Sequence, residues 1–246
     1  MSPLLFSLFI GDLEEFLKDS TEGGFNLHNL NLALLLFADD MVIIGNSPAD
    51  LQHRLNRLVE YCTEWGLKIN ASKSKVIVFR KRGGIKQNEH WNVGLDLLEI
   101  VEQFNYLGTV FSSNGKFVYN EEYIAGRAQK SLNFFLKNAS KLQLTVKTLC
   151  QLFDSFVGSI LNYACAVWRF SKCVTLERIH LNFCKKTLHV KKSTNSLAVY
   201  GELGRFPLYV NRYCYIIKYW SALLQSPNVI VQRIYNDMLV SCNNGV

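Results

Sequence analysis

The chain has 246 residues and a net charge of +7, with 49% apolar and 19% charged residues. That length can bury a sizeable core as one large domain or two small ones, and that composition excludes a disordered chain. Charge is unevenly spread: residues 1–122 hold 11 Lys/Arg and 16 Asp/Glu, a balance of −5, whereas residues 123–246 hold 16 and 4, a balance of +12. An acidic half followed by a basic half suits a polyanionic partner for the second. The chain's opening carries Asp12, Glu14 and Glu15 within an apolar helical pattern, unlike a secretory leader. Seven scattered cysteines, an odd number, then read as reduced thiols of an intracellular protein. Leu208–Leu224 is the most apolar late stretch, but Asn211, Arg212 and Lys218 interrupt it, and it is too short and too charged to span a bilayer.

In chain order, Ser2 can cap and Pro3 can open a helix in which Leu5, Leu8, Phe9, Leu13, Phe16 and Leu17 recur at helical spacing. Residues 20–33 are a connector broken by Gly23-Gly24. Leu34-Leu35-Leu36-Phe37-Ala38-Asp39-Asp40-Met41-Val42-Ile43-Ile44 then predicts two short buried strands with Ala38-Asp39-Asp40 at a hairpin turn. Two aspartates at one tip cannot both ionise cheaply unless something neutralises them. A hard cation such as Mg²⁺ does so, since it is held by one or two carboxylates plus substrate phosphates. Two such ions about 3.5–4 Å apart clamp the attacking and leaving oxygens of an in-line displacement, which is polymerase chemistry. An acidic β-turn without a ligand fits the same four residues.

The hairpin ends at Gly45. Ser47 as N-cap, Pro48 at the first position and Asp50 in the first turn begin a helix with an apolar stripe of Leu51, Leu55, Leu58, Val59 and Cys62, which Gly66 stops. Residues 66–79 read as a loop and then a buried strand, and Arg80-Lys81-Arg82-Gly83-Gly84 as a basic flexible link. Phe104–Phe111 reads as part of a β-hairpin, with Ser112-Ser113-Asn114-Gly115 as turn residues after it. From Glu121 the pattern turns helical. Ile124, Ala128, Leu132, Phe135, Leu136 and Ala139 share one face with Arg127, Lys130 and Lys137 away from it. Leu149, Leu152, Phe153, Phe156, Val157, Ile160, Leu161 and Ala164 form a second stripe, and Leu176–Lys186 a third helix. Cys165, Cys173, His180, Cys184 and His189 fall within 25 residues, but their wide gaps lack the Cys-x(2–4)-Cys pair of zinc sites. Buried thiols and two helix-surface histidines are the expected reading.

Phe37-Ala38-Asp39-Asp40 between apolar runs resembles the aromatic-x-Asp-Asp box of reverse transcriptases, and its neighbours match that family in order. The closest resemblance is to LINE-type, non-LTR retrotransposon polymerases. Ser2-Pro3-Leu4-Leu5-Phe6 resembles the tail of the motif before the box, Asn70-x-x-Lys73 the motif after it, and Tyr106-Leu107-Gly108 the primer-grip hairpin. Gly201-Glu202-Leu203-Gly204-Arg205-Phe206-Pro207-Leu208 resembles a Gly-Glu-Leu-Gly-x-x-Pro-Leu segment that follows the thumb in LINE-type elements.

The resemblance implies an α+β fold: a partial palm of antiparallel hairpins over residues 1–118, a mainly helical thumb over 119–200 and a C-terminal helical connector over 201–246. It implies an RNA-directed DNA polymerase fragment using Mg²⁺ on Asp39 and Asp40, with Lys73 assisting departure of pyrophosphate. Tyr106, Leu107, Gly108, Arg127, Lys130, Arg178, Lys185 and Lys186 are then the nucleic-acid-binding residues. Gly108 is expected to let backbone approach the primer closely. The implied partners are an RNA template, a DNA primer and deoxynucleoside triphosphates, with nuclear action and no membrane. The family's fingers and first catalytic aspartate have no match in the chain, and Asp12, expected within the first helix, faces the wrong element to replace it. An isolated chain inactive without an upstream segment is therefore expected. The alternative is a degenerate or co-opted remnant that binds nucleic acid without catalysis.

Overall fold

The structure is a computed structural model that describes residues 3–17, 25–27, 30–80, 89–168 and 172–243. Ser2, Gly23-Gly24 and residues 81–84, each given a role above, lie outside these. The chain mixes short strands with longer helices. It runs α1 (Pro3–Phe9), α2 (Leu13–Leu17), β1 (Phe25–Leu27), β2 (Leu30–Leu32), β3 (Leu34–Phe37), β4 (Asp40–Ile43) and α3 (Pro48–Glu64). Next come β5 (Lys75–Val76), β6 (Asn92–Val93), β7 (Asp96–Leu97), β8 (Glu99–Ile100), β9 (Gln103–Tyr106) and β10 (Thr109–Ser112). The helices α4 (Val118–Ala139), α5 (Val146–Phe153), α6 (Ser159–Leu161), α7 (Cys165–Trp168), α8 (Val174–Thr187), α9 (Ser196–Glu202), α10 (Leu208–Leu224) and α11 (Val229–Asn243) follow. Two compact units result: Met1–Glu102 with Leu223–Val246, and Gln103–Ala222.

In the first unit α3 is the organising helix. Ser47 caps it by accepting a hydrogen bond from Asp50 N at 3.1 Å, and Gly66 leaves it at φ +64°. Its buried residues Leu58, Tyr61 and Cys62 cluster with Leu13 and Leu17 of α2 and Leu34 of β3. On its other flank Leu55 meets Val76, Trp91, Val93 and Leu98. Gly45 is obligatory at the entry to α3, because a Cβ there would stand 2.8–2.9 Å from Leu51.

Three expectations need correcting here. The single opening helix is two, broken at Ile10–Asp12, and Leu5 and Leu8 are exposed while Leu13 and Leu17 are buried. Gly11 in that turn, with little helix propensity, explains the break. The strand expected before Phe79 is only Lys75–Val76, paired in parallel with Glu99–Ile100, and Phe79 is exposed. The strands flanking the paired aspartates are not buried: Leu34 is, but Leu35, Leu36 and Phe37 are exposed. A two-stranded sheet offers one face to a core, and among the described residues no further strand pairs with β3 or β4.

In the second unit α4 plays the part of α3. Ile124, Ala128 and Leu132 have no exposure, and with Phe135 they pack against Phe153, Val157, Leu161, Leu176 and Phe183. The β9–β10 hairpin is locked to α4 by the fully buried Asn120, whose Oδ1 accepts from Val110 N at 2.9 Å. Between α5 and α6, residues Asp154–Gly158 form a π-helical turn. Such a turn inserts an extra residue into the helical repeat and shifts its phase. Phe153 is 1% exposed and Val157 is buried, but Phe156, expected in the same stripe, is 61% exposed.

Behind α8 lies a polar network. His180 is buried, not on the helix surface as expected, and stacks between Phe153 and Tyr200. Its Nε2 accepts from Arg205 Nε at 3.1 Å, and Arg205 grips the Asp154 carboxylate through both terminal nitrogens. Glu177 accepts from Tyr200 Oη and Leu208 N, both at 2.8 Å, and from Tyr209 N at 3.2 Å, so it caps the start of α10. Burial raises the Glu177 pKa, but the His180 ring, with Nδ1 4.0 Å away, and these hydrogen bonds outweigh it and hold the carboxyl below its ordinary value.

Phe153→Ala should cost the fold about 3–5 kcal/mol, as loss of a core aromatic does, whereas Phe156→Ala should stay within about 0.5 kcal/mol in urea denaturation. Equal losses would contradict the phase shift. A depressed folded-state pKa contributes stability that is present above the unfolded value and lost as pH falls through the folded one. Thermal melts should therefore show wild type more stable than Glu177→Gln at neutral pH, with the gap closing as pH drops below the ordinary value of 4.5.

Candidate active site and nucleic-acid interface

The paired aspartates sit where the β3–β4 register puts them. Leu34 faces Ile43, Leu35 faces Val42, Leu36 faces Met41 and Phe37 faces Asp40, which leaves Ala38 and Asp39 as a two-residue turn. Side chains alternate across a ribbon. Leu34, Met41 and Ile43 therefore turn to the core that α2 and α3 complete, while Phe37 and Asp40 share the opposite face with Leu35 and Val42. Ala38 closes the turn at φ +53°, a left-handed conformation that costs a residue with a Cβ about 1–2 kcal/mol. Strain of that kind is kept where surrounding structure over-determines it.

Asp39 and Asp40 are both exposed, and neither carboxylate has a hydrogen-bond or ion-pair partner among the described residues. Two hard oxygen donors, unpartnered and open to water, fit a cation that takes one or two carboxylates and completes its shell from water and phosphate. Among the described residues no third acidic, His or Cys side chain stands close enough to join them around one ion. Asp12 lies in the turn between α1 and α2, outside the helix expected to hold it, and accepts from the buried Tyr61 hydroxyl at 2.6 Å. Burial and then Asp12 push the Tyr61 pKa up, so the hydroxyl stays a donor to that carboxylate.

Lys73 is exposed in the same unit, on the turn Ala71–Lys73. Asn70 builds that turn: its Oδ1 accepts from Ser72 Oγ at 2.7 Å and Lys73 N at 3.2 Å, and its carbonyl accepts from Ser74 N at 3.0 Å. The Asn-x-x-Lys spacing is thus an Asx-turn with a lysine at its end. Arg80, the described part of the expected basic link, pairs with Glu89.

The remaining candidates belong to the second unit. Tyr106 pairs with Thr109 across the β9–β10 turn, so Leu107 and Gly108 form the tip at φ +47° and +78°. Two positive φ values are what a tight hairpin of this twist requires, and Leu107 carries the strain of being a non-glycine there. Gly108 is needed twice over, because a Cβ would also come within 3.1 Å of the Tyr163 ring. The group that closely approaches Gly108 in this structure is therefore Tyr163.

Arg127, Lys130 and Lys137 are exposed on α4 opposite its buried face, with Arg127 5.6 Å from the Tyr123 ring centre. Between them stands Phe134, 73% exposed and off the apolar face, so periodicity does not single it out. Arg178 and Lys186 are exposed on α8, and Lys185 Nζ donates to Lys192 O at 2.5 Å. Glu177 turns inward to the network behind α8, so these cations stay clear of it. Cys165, Cys173 and Cys184 are buried, and burial pushes the Cys184 thiol up to about 12, far from a metal-ligating thiolate. Among the described residues no helix is long and apolar enough to cross a membrane.

Residues 1–111 match the family described as reverse transcriptase (RNA-dependent DNA polymerase). A transposon-derived protein of Caenorhabditis elegans is 32% identical over 151 residues, 61% of this chain and 53% of the relative. Retrovirus-related Pol polyproteins from the type-1 retrotransposable element R2 are also similar. That of Nasonia vitripennis is 28% identical over 123 residues (47% of this chain, 12% of the relative), and that of Bradysia coprophila 28% over 127 (46% and 14%). The chain thus spans about half the length of the nematode relative and a small part of the insect ones. The matched residues 1–111 include the Asp39–Asp40 turn, and the similar proteins include ones from non-LTR retrotransposons.

Proposed function

We propose that this chain is the part of a retrotransposon reverse transcriptase that supplies two metal-binding aspartates and a basic helical grip on the template–primer duplex. The observation that carries the reading is the Asp39–Asp40 turn: two exposed, unpartnered carboxylates in a segment that matches the reverse transcriptase family. In this reading residues 1–118 are palm, 119–200 thumb and 201–246 connector. Asp39 and Asp40 hold Mg²⁺, which when bound neutralises charge on the attacking and leaving oxygens of nucleotidyl transfer. Lys73, on its Asn70-capped turn, offers an ammonium to the phosphate charge that develops as pyrophosphate leaves. Arg127, Lys130, Arg178, Lys185 and Lys186 contact phosphates of the RNA–DNA duplex without reading its sequence. Leu107 and Gly108 touch the primer strand, and the site of action is the nucleus.

A second reading rests on the acidic tip having no third carboxylate beside it among the described residues. Two-metal polymerase chemistry of the kind this chain resembles draws on a further aspartate. A chain that contributes only the basic grip would bind nucleic acid and leave synthesis to another segment, or have lost synthesis altogether.

Two measurements test these readings. The 246-residue chain alone should not extend a primer on an RNA template with Mg²⁺; synthesis that Asp39→Asn abolishes would overturn that expectation. In duplex-binding titrations at two salt concentrations, log affinity should fall with log salt at a slope of several units, about 0.7–0.9 for each phosphate contacted. Lys130→Ala and Lys186→Ala should each lower that slope by about one contact's worth. No binding at low salt would sink the grip in both readings.

A further inference from the structure

The β9–β10 tip is held from outside the hairpin. Tyr163 Oη donates to the Leu107 carbonyl at 2.6 Å across 56 residues of sequence, and its ring lies against Gly108. Tyr163 comes from the turn that joins α6 to α7, which is itself shaped for the task. Ala164 beside it adopts φ +48°, and the Tyr163 carbonyl accepts from the indole of the buried Trp168 at 2.8 Å. Two strained non-glycine residues, Leu107 and Ala164, therefore stand on the two sides of one hydrogen bond. Hydrophobic burial does not explain the contact, because Tyr163 is 46% exposed and Leu107 is exposed too. Its effect is to fix where the Leu107 carbonyl points, and hence which backbone groups the tip offers to solvent. Strain retained at an exposed tip with so little burial to gain from it points to function.

We infer that Tyr163 is a positioning residue that sets the Leu107–Gly108 tip for docking against the end of a primer strand. This rests on the reading of the hairpin as primer-binding. Tyr163 need not touch the nucleic acid. It holds the αL pair at Leu107–Gly108 so that the tip meets the strand end in one conformation and no ordering cost remains at binding.

The test compares two fluorescent RNA–DNA duplexes of equal length, one with a recessed primer 3′ end over a template overhang and one blunt, titrated with the full chain. Tyr163→Phe keeps the ring against Gly108 and removes only the hydroxyl. It should weaken binding to the recessed duplex about fivefold, the scale of one hydrogen bond, and leave blunt-duplex affinity and the salt slope unchanged. Equal weakening for both duplexes, together with a lowered melting temperature, would assign Tyr163 a purely structural role and overturn the inference. So would an unchanged affinity for the recessed duplex, or a wild-type chain that binds both duplexes alike, although either result leaves the phosphate grip standing. A wild-type chain that binds neither duplex removes the primer-binding reading itself, and the inference with it.

Discussion

A two-stranded ribbon is marginal in water by itself, and both candidate functional tips of this protein stand on such ribbons. Each tip keeps its shape because a long amphipathic helix lies beneath its hairpin. Under β3–β4 that helix is α3, through Leu58, Tyr61 and Cys62; under β9–β10 it is α4, through Asn120. Leu→Ala losses in such helix cores reach several kcal/mol, which exceeds the strain stored at Ala38 or Leu107. Burial under β3–β4 and hydrogen bonds under β9–β10 thus sustain strain at the two tips.

The two supports differ in chemistry. β3–β4 is fastened by apolar contact on one face only, leaving Leu35, Phe37 and Asp40 on the other. β9–β10 is fastened by hydrogen bonds instead: Asn120 to Val110, Asn105 to Tyr123 and Tyr163 to Leu107. Directional bonds specify the orientation of a tip better than apolar area does, which suits the backbone role proposed for this hairpin.

The network around Arg205 makes sense of the Gly-Glu-Leu-Gly-Arg-Phe-Pro-Leu segment. Gly204 leaves α9 at φ +61°, Arg205 turns inward to Asp154 and His180, and Leu208 opens α10 under the Glu177 cap. A buried guanidinium is costly unless it is paired and hydrogen-bonded, and here both needs are met. The same inward turn keeps Glu177 and Asp154 engaged with α10 and Arg205 and leaves Arg178 and Lys186 to face water.

Local chemistry was legible in the sequence wherever one rule acted over a few residues. The Ser47-Pro48-Asp50 start of α3, the apolar stripe of α4 and the turn at Asp39 all follow from caps, periodicity and turn residues. What only the tertiary structure decided involves residues far apart in the chain. Tyr163 on Leu107, Tyr61 on Asp12 and Arg205 on Asp154 are separated by about 50 residues each, and no local pattern encodes such pairings. Phe156 turned outward and His180 inward for related reasons: a π-helical turn changed the phase of one helix, and an aromatic stack made room for a buried imidazole on another. Periodicity predicts which face of a regular helix is apolar, but neither where the helix departs from 3.6 residues per turn nor what meets that face.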